Sequence, residues 1–298
     1  MTELTSRETA PFVDGLHFGE SPRWHDGRLW FADFYQSAVL SAGESGDVRV
    51  EVVVPGEPGG FGWMPDGRLL SSTRKPRTVV RLEPDGRLVE HGDLKPTAAF
   101  YGNDLVVDSA GRAYVGNFGF DFDAFVAEHG ELALVEPPGA PRTQLVRIDP
   151  DGSAHVATDD LYFPNGTVIT PDGRTLIVAE TLAGQLTAFD IDDEGNLSGR
   201  RVWAELSWCA PDGICLDAEG RIWAASAMAA ECQLVAEGGE VVDRVTTSQN
   251  CFACMLGGAD RRTLYLMTAP TSAEAVVSAT RSARIEQIRV SVPGAGLP

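Results

Sequence analysis

The chain has 298 residues, of which 43% are hydrophobic, and a formal net charge of −19 at pH 7. An acid excess of this size repels phosphate backbones and anionic lipids, so the composition argues against nucleic acid and membrane surfaces as partners. No stretch approaches the roughly 18 to 20 consecutive apolar residues that a membrane-spanning helix needs.

The first 15 residues read as a polar tail followed by the start of a β-strand. The tail lacks the basic and then apolar pattern of a secretory signal, which favours a cytoplasmic location. The five cysteines agree, because an odd number in a long chain is typical of reduced, buried thiols. Cys251 and Cys254 could form a redox or metal pair, but without a second pair or a nearby histidine we interpret them as packing residues.

Short strands and tight turns then alternate along the chain. Pro-Asp-Gly-Arg turns at residues 65–68 and 84–87 are typical of connections between antiparallel strands. Alternating or β-branched runs predict strands at residues 29–32, 48–54, 78–82, 175–179, 184–190 and near 201–203. Residues 285–290 also alternate like a strand. In a ring of repeated units the last unit needs a partner from the other terminus, so we expect residues 285–290 and 10–18 to close the ring.

One sequence pattern recurs six times and consists of an apolar strand, a tight turn and a second strand. The turn position is Gly27, Gly67, Gly111, Gly173, Gly220 and Arg261, with steps of 40, 44, 62, 47 and 41 residues. Units of roughly 40 to 45 residues with several short strands predict an all-β fold, a six-bladed β-propeller with a central channel. The repeats run without a linker, so we expect one domain over residues 1–298.

The third unit is longer than its neighbours, and its surplus lies at about residues 120–142. Long insertions in compact β domains are usually functional loops or mobile segments. We interpret this one as a lid or rim over one face, with an inert surface excursion as the alternative.

Polar side chains stand at one equivalent position in four units. Asn103, Asn165 and Asp212 lie eight residues before the turn position and Glu20 lies seven before it, whereas the second and sixth units have Gly59 or Gly60 and Ala253 there. The innermost strands line the channel of a propeller, and these four residues stand at the heads of such strands. Their side chains should therefore converge at one mouth of the channel. Neighbouring buried carboxylates repel unless a cation joins them, and oxygen ligands suit a hard divalent ion. The alternative is that Asn and Asp before Gly are turn or cap residues.

The sequence around these positions resembles the SMP-30/gluconolactonase/LRE family, the regucalcin and gluconolactonase group. The matching stretches are residues 19–24, 103–108, 164–166, 211–220, and 257–260 with 263–265. The resemblance implies one divalent metal held by Glu20, Asn165 and Asp212, with Asn103 at the metal or its substrate. Most characterised members are lactonases, so it implies a small-molecule lactone substrate. Calcium is the metal we expect first, with magnesium, manganese or zinc as alternatives.

The third unit departs from the family pattern. Sugar-lactone members resembling regucalcin carry an arginine two residues before the third-unit Asn, where this chain has Tyr101. The loss of that cation favours a lactone less polar than a sugar lactone. Aromatic and apolar residues expected near the mouth, any of which could instead be core, are Phe34, Phe61, Phe100, Tyr101, Phe118, Tyr162, Phe163, Trp208 and Met228. Of these we name Tyr101 and Phe163, together with Asn103, as substrate-binding residues.

The expected reaction is therefore metal-dependent hydrolysis of a lactone. Asp212 is our candidate general base and Glu20 the alternative, while Asn103 contacts the substrate or completes the metal shell. Three other readings stay open: an organophosphate or phosphofluoridate hydrolase using the same channel, a non-catalytic propeller for protein interaction, and a lyase or isomerase acting on a biosynthetic intermediate.

Overall fold

Each repeated turn joins the first two strands of an antiparallel sheet. The turn residues have the left-handed backbone that such a tight connection needs, with φ of 76° at Gly220 and 59° even at Arg261, where the glycine is replaced. In a computed structural model that describes residues 7–206 and 209–298, these hairpins form six sheets around one axis. The chain is a six-bladed β-propeller, as the repeats predict.

Each blade has four antiparallel strands that follow one another from the channel outwards. Two strands, β1 (Arg7–Glu8) and β2 (Ala10–Leu16), precede the first blade. The first three blades are β3 (Gly19–His25), β4 (Arg28–Asp33), β5 (Ala38–Ala42) and β6 (Val48–Val53); β7 (Pro58–Trp63), β8 (Leu69–Thr73), β9 (Thr78–Leu82) and β10 (Leu88–Asp93); and β11 (Gly102–Val107), β12 (Ala113–Asn117), β13 (Thr143–Ile148) and β14 (Ala154–Leu161).

The remaining blades follow the same order. They are β15 (Pro164–Ile169), β16 (Thr175–Glu180), β17 (Gln185–Ile191) and β18 (Leu197–Glu205); β19 (Pro211–Leu216), β20 (Ile222–Ser226), β21 (Glu231–Val235) and β22 (Val241–Thr246); and β23 (Asn250–Gly257), β24 (Thr263–Ala269) and β25 (Ala283–Arg289), completed by β2. The predicted strands all coincide with observed ones, with ends shifted by a few residues.

The two ends of the chain close the ring as expected. In the sixth blade β2 pairs antiparallel with β25, with Val13 opposite Ile285. Strand β1 also adds in parallel to β22 of the fifth blade, with Arg7 opposite Val245, which the sequence did not predict. The inner strands β3, β7, β11, β15, β19 and β23 contact one another in turn, and β23 contacts β3. The channel is therefore surrounded completely.

The two ends of the channel differ. At the end where the inner strands begin, which we call the mouth, residues 120–142 form helix α1 (Phe122–His129) and a 3₁₀ turn (Glu131–Leu134), and helix α2 (Glu274–Val277) follows β24. At the opposite end the C-terminal residues pair with residues at the ends of inner strands, Leu297 with Ile169, the last residue of β15, and Gly294 with Asp217, which follows β19.

The core lies between neighbouring blades. Its largest hydrophobic cluster includes Phe31, Leu69, Trp223 and Leu266, which come from four different blades. Such sharing makes each blade depend on its neighbours for burial of its apolar faces. No helix among the described residues is both long and apolar enough to cross a bilayer.

Candidate active site at the channel mouth

Four polar side chains occupy the same place in four blades. Glu20, Asn103, Asn165 and Asp212 are each the second residue of an inner strand, and each is buried, with 6% to 9% of its surface exposed. Every one of these strands contains one extra residue relative to its partner at this point, for example between Pro211 and Ile214. Such β-bulges re-aim side chains, and here they recur at the strand heads that surround the channel.

The glycine after a strand head allows the inner strands to approach closely. A Cβ on Gly166 would lie 2.6 Å from the carbonyl oxygen of Asp212, and a Cβ on Gly213 would lie 2.6 Å from the Cα of Ala253. Side chains are excluded there because the obstacle is backbone rather than a flexible side chain. The Asn-Gly and Asp-Gly pairs of the sequence therefore reflect strand packing as well as turn chemistry.

The second and sixth blades contribute no oxygen ligand at this position. The second blade has Gly59. In the sixth blade, Ala253 lies against Gly213 in the same way that Gly213 lies against Gly166. Ala253 is therefore equivalent to Gly213, and the residue before it, Phe252, is equivalent to Asp212. The count from the turn, which assigned Ala253, was wrong by one residue because the bulge of β23 lies between Cys251 and Ala253.

Two of the four side chains are acids that act on each other electrostatically. Burial and then the Asp212 carboxylate raise the pKa of Glu20 well above its usual value, although Arg74 opposes the shift. Burial and then the Asp104 carboxylate raise the pKa of Asp212 as well. A cation bound between Glu20 and Asp212 would relieve both costs.

The donor atoms fit a divalent cation. Asp212 Oδ1 is buried without a hydrogen-bond partner. Glu20 accepts one bond, from the Ser21 amide at 3.1 Å. The amide groups of Asn103 and Asn165 donate through Nδ2, to Pro164 O at 3.2 Å and to Thr181 Oγ1 at 3.4 Å, and no hydrogen bond among the described residues uses either Oδ1. Carboxylate and amide oxygens are the ligands that hard cations prefer.

The set has only two acids. Among residues 7–206 and 209–298, no group of three or more His, Cys, Asp or Glu side chains is placed to hold a metal ion. The third and fourth candidate ligands are the side-chain amide oxygens of Asn103 and Asn165. The five cysteines are buried and free, and Cys254 Sγ lies 3.3 Å from the Trp223 carbonyl oxygen, a contact of an ordinary packed thiol.

Sequence reasoning missed a buried ion pair beside the site. Arg23 Nη2 lies 2.6 Å from Asp104 Oδ1, and the Arg23 side chain also donates to the carbonyl oxygens of Pro22, Phe61 and Leu105. One guanidinium thus joins the inner strands of three blades. The available signal was Asp104 itself, since the third unit reads Asn-Asp where the fourth reads Asn-Gly.

A second arginine stands among the aromatic residues of the mouth. Arg74, in the loop after β8, lies over the rings of Phe34, Tyr101 and Phe118 at 4.4, 5.3 and 5.7 Å. Position 101 is a tyrosine where sugar-lactone members resembling regucalcin carry an arginine, and Arg74 of the second blade places a cation against this ring.

The predicted mouth residues have different surroundings. The Phe163 ring packs against the Phe118 ring at 4.8 Å, and the Phe118 ring lies 6.1 Å from the Tyr101 ring, on which Phe100 stacks at 4.1 Å. Tyr101, Phe118 and Phe163 therefore form one aromatic wall. Phe61 is fully buried, whereas Met228 is 77% exposed. Trp208 lies outside the described residues.

The insertion packs directly on this wall. Phe120, Leu134, Ala140, Tyr162 and Phe163 form one buried cluster, with Phe122 and Phe125 of α1 packed against it. Phe163 has φ of 61°, and a non-glycine residue with such a backbone is frequent at functional sites. Its carbonyl oxygen accepts from the Thr181 amide at 3.1 Å, which fixes the chain just before Asn165.

Two surface cavities lie away from the mouth. One of about 510 Å³ is lined by residues that include Asp260 and Arg289, and one of about 350 Å³ by residues that include Thr170 and Asp217. Both include residues of turns at the opposite end of the blades, so neither contains the strand heads.

Comparison with known proteins places the chain among relatives of the same size. It is 26% identical over 290 residues to a 6-deoxy-6-sulfogluconolactonase of Pseudomonas putida, covering 94% of each chain. It is 27% identical over 266 residues to a pentonolactonase of Haloferax volcanii, covering 84% of this chain and 81% of the relative.

A solved structure agrees in fold. The calcium-binding protein regucalcin from Agrobacterium tumefaciens superposes with a TM-score of 0.78 at 18% identity, covering 99% of this chain and 98% of that chain. Residues 18–270 match the sequence profile described as the SMP-30/Gluconolactonase/LRE-like region. The match extends over most of the blades and includes all four strand heads, and the chain belongs to the SMP-30/gluconolactonase/LRE-like family.

Proposed function

We propose that this protein is a divalent-metal-dependent hydrolase that opens the ring of a lactone less polar than a sugar lactone. The observation that carries the proposal is the buried, unpartnered Asp212 Oδ1, and the Asp212 carboxylate also raises the pKa of the neighbouring Glu20. Similarity to a sulfogluconolactonase and a pentonolactonase supports the reaction class. The aromatic wall of Tyr101, Phe118 and Phe163 supports a substrate with an apolar face.

Glu20, Asn165 and Asp212 would hold the metal, with calcium as the first candidate and magnesium, manganese or zinc as alternatives. When bound, a divalent cation supplies polarisation of the lactone carbonyl oxygen. The similarity to a calcium-binding regucalcin supports calcium. Ligands made only of oxygen support a hard ion in general.

The chain's own residues would move the proton. Asp212 takes a proton from the attacking water, and this proton returns to the ring oxygen as the ester C–O bond breaks. A positioned general base contributes about 10²- to 10⁴-fold. Glu20 is the alternative base, and Asn103 holds the substrate through its unused Oδ1. We also take residues 120–142 as a cover that limits water around the aromatic wall.

Metal content and turnover measured together test the proposal. Elemental analysis of the purified protein should find about one divalent ion per chain, and a lactone panel with paraoxon as comparison should show hydrolysis of lactones that EDTA abolishes and calcium restores. Asp212→Asn should lower kcat by at least about 100-fold, since it removes the general base. Asp172→Asn, the same change in an exposed turn at the other end of the fourth blade, is the matched control.

Several results would contradict the proposal. Full activity in EDTA would rule out metal dependence, and full activity of Asp212→Asn would rule out Asp212 as the general base. Turnover of paraoxon alone would favour the phosphoester reading. If mass spectrometry finds products that have not gained one water, the reaction is a lyase or isomerase reaction instead.

A further inference from the structure

Arg74 is held at the mouth by contacts that leave the N–H group at its Nε without a partner. Its Nη1 lies 2.7 Å from Glu57 Oε2, and only 6% of the residue is exposed. Its Nε is buried and has no hydrogen-bond partner. A buried donor left unpaired is energetically costly, so a partner for this N–H would be favourable.

Glu57 is itself held in an unusual conformation. It has φ of 69°, is 8% exposed, and binds both Arg74 and Lys75, the latter at 2.5 Å. Glu57 therefore combines a strained backbone with a buried carboxylate that binds two cations, and this carboxylate holds the Arg74 guanidinium in place. The arrangement fixes the plane of Arg74 against the Phe34 and Tyr101 rings.

Arg74 also lies beside a strand head, because its carbonyl oxygen accepts a hydrogen bond at 3.1 Å from the amide of Gly102, the residue before Asn103. A molecule bound beside Asn103 and against the aromatic wall would therefore meet the guanidinium. Because Glu57 already balances its charge, Arg74 acts there chiefly as a fixed hydrogen-bond donor.

We propose that Arg74 is a specificity residue that binds an acceptor oxygen carried by the lactone outside its ester group, while the ring lies against Tyr101 and Phe118. The substrate class is then an amphiphilic lactone, with one apolar face and a hydroxyl or carboxylate substituent. This inference rests on the proposed function and names the substrate class of the same site.

Three γ-lactones that differ at one ring carbon provide the test: γ-valerolactone with a methyl group, γ-hydroxymethyl-γ-butyrolactone with a hydroxymethyl group, and 5-oxotetrahydrofuran-2-carboxylate. Wild type should prefer the two oxygen-bearing lactones by at least 10-fold in kcat/KM. Arg74→Met should lower kcat/KM for these two by about 10- to 100-fold, mainly through KM, and change the methyl lactone by less than about threefold. Arg74→Lys should recover part of the preference.

Arg68→Met is the matched control, since Arg68 lies at the turn between β7 and β8, at the other end of the same blade, where it pairs with Asp66. It should leave all three values unchanged. An equal loss on all three lactones in Arg74→Met, or no loss on any, would overturn the inference while leaving the lactonase proposal intact.

Failure of the proposed function gives a different result. If wild type opens none of the three lactones, calorimetric binding of the same lactones to the metal-loaded protein decides the role of Arg74. Weaker binding of the hydroxymethyl lactone to Arg74→Met than to wild type, with the methyl lactone unchanged, supports the inference. Equal or undetectable binding of the hydroxymethyl lactone by both proteins overturns it.

Discussion

Replacement of Arg23 by methionine should destabilise the protein strongly. The change keeps most of the aliphatic stem but removes the partner of Asp104, whose side chain is 11% exposed. It also leaves the carbonyl oxygens of Phe61 and Leu105 without the bonds at 3.0 and 2.7 Å that they accept from Arg23. Breaking a buried ion pair from one side costs about 3–5 kcal/mol, and we expect a loss in the free energy of unfolding within that range.

Two further variants separate charge from hydrogen bonding. Asp104→Asn keeps an acceptor for Arg23 and removes a carboxylate that raises the pKa of Glu20 and Asp212, so its cost should be smaller than that of Arg23→Met. The double variant Arg23→Met with Asp104→Asn should be less destabilised than Arg23→Met alone, because it leaves no uncompensated carboxylate.

Urea denaturation in EDTA measures these differences without a contribution from bound metal. The buffer should be near pH 7, where ordinary carboxyl groups are charged in the unfolded chain. A cost below about 1 kcal/mol for Arg23→Met would refute the reasoning, as would a double variant less stable than the single one.

Two other predictions concern backbone packing and pH. Gly213→Ala should cost about 3 kcal/mol, because its Cβ would lie 2.6 Å from the Cα of Ala253, whereas Gly220→Ala, with φ of 76° and nothing within 4 Å, should cost only about 1 kcal/mol; equal costs in urea denaturation would show that the inner strands can separate. Burial, and then the Arg81 guanidinium 3.0 Å from its Nδ1, lower the pKa of His91, so the unfolded chain binds this proton more readily than the folded one. The stability that neutral His91 contributes to the folded state is fully present above a pH of about 6.5 and is lost as the pH falls through the folded-state pKa. Melting temperatures at pH 7.5 and 5.5 should therefore differ less in His91→Asn than in wild type, with the half-exposed His155→Asn as control; an unchanged difference in His91→Asn would contradict the assignment.

The sequence alone determined the number of blades, their order and the closing strand. These features depend on alternation within a strand and on turn residues, which are local properties of the chain. The same local repetition placed Glu20, Asn103, Asn165 and Asp212 at equivalent strand heads, because closure of a ring converts equivalent positions into neighbours.

Tertiary structure alone decided which other side chains reach those heads. Arg23 pairs with Asp104 across 81 residues of sequence, and Arg74 enters the mouth from a loop whose residues follow no period. Long flexible side chains bridge different blades, so their partners depend on how the blades pack and leave no regular spacing in the chain. Phe252 shows the same limit on a smaller scale, since one bulge moved the sixth strand head by one residue.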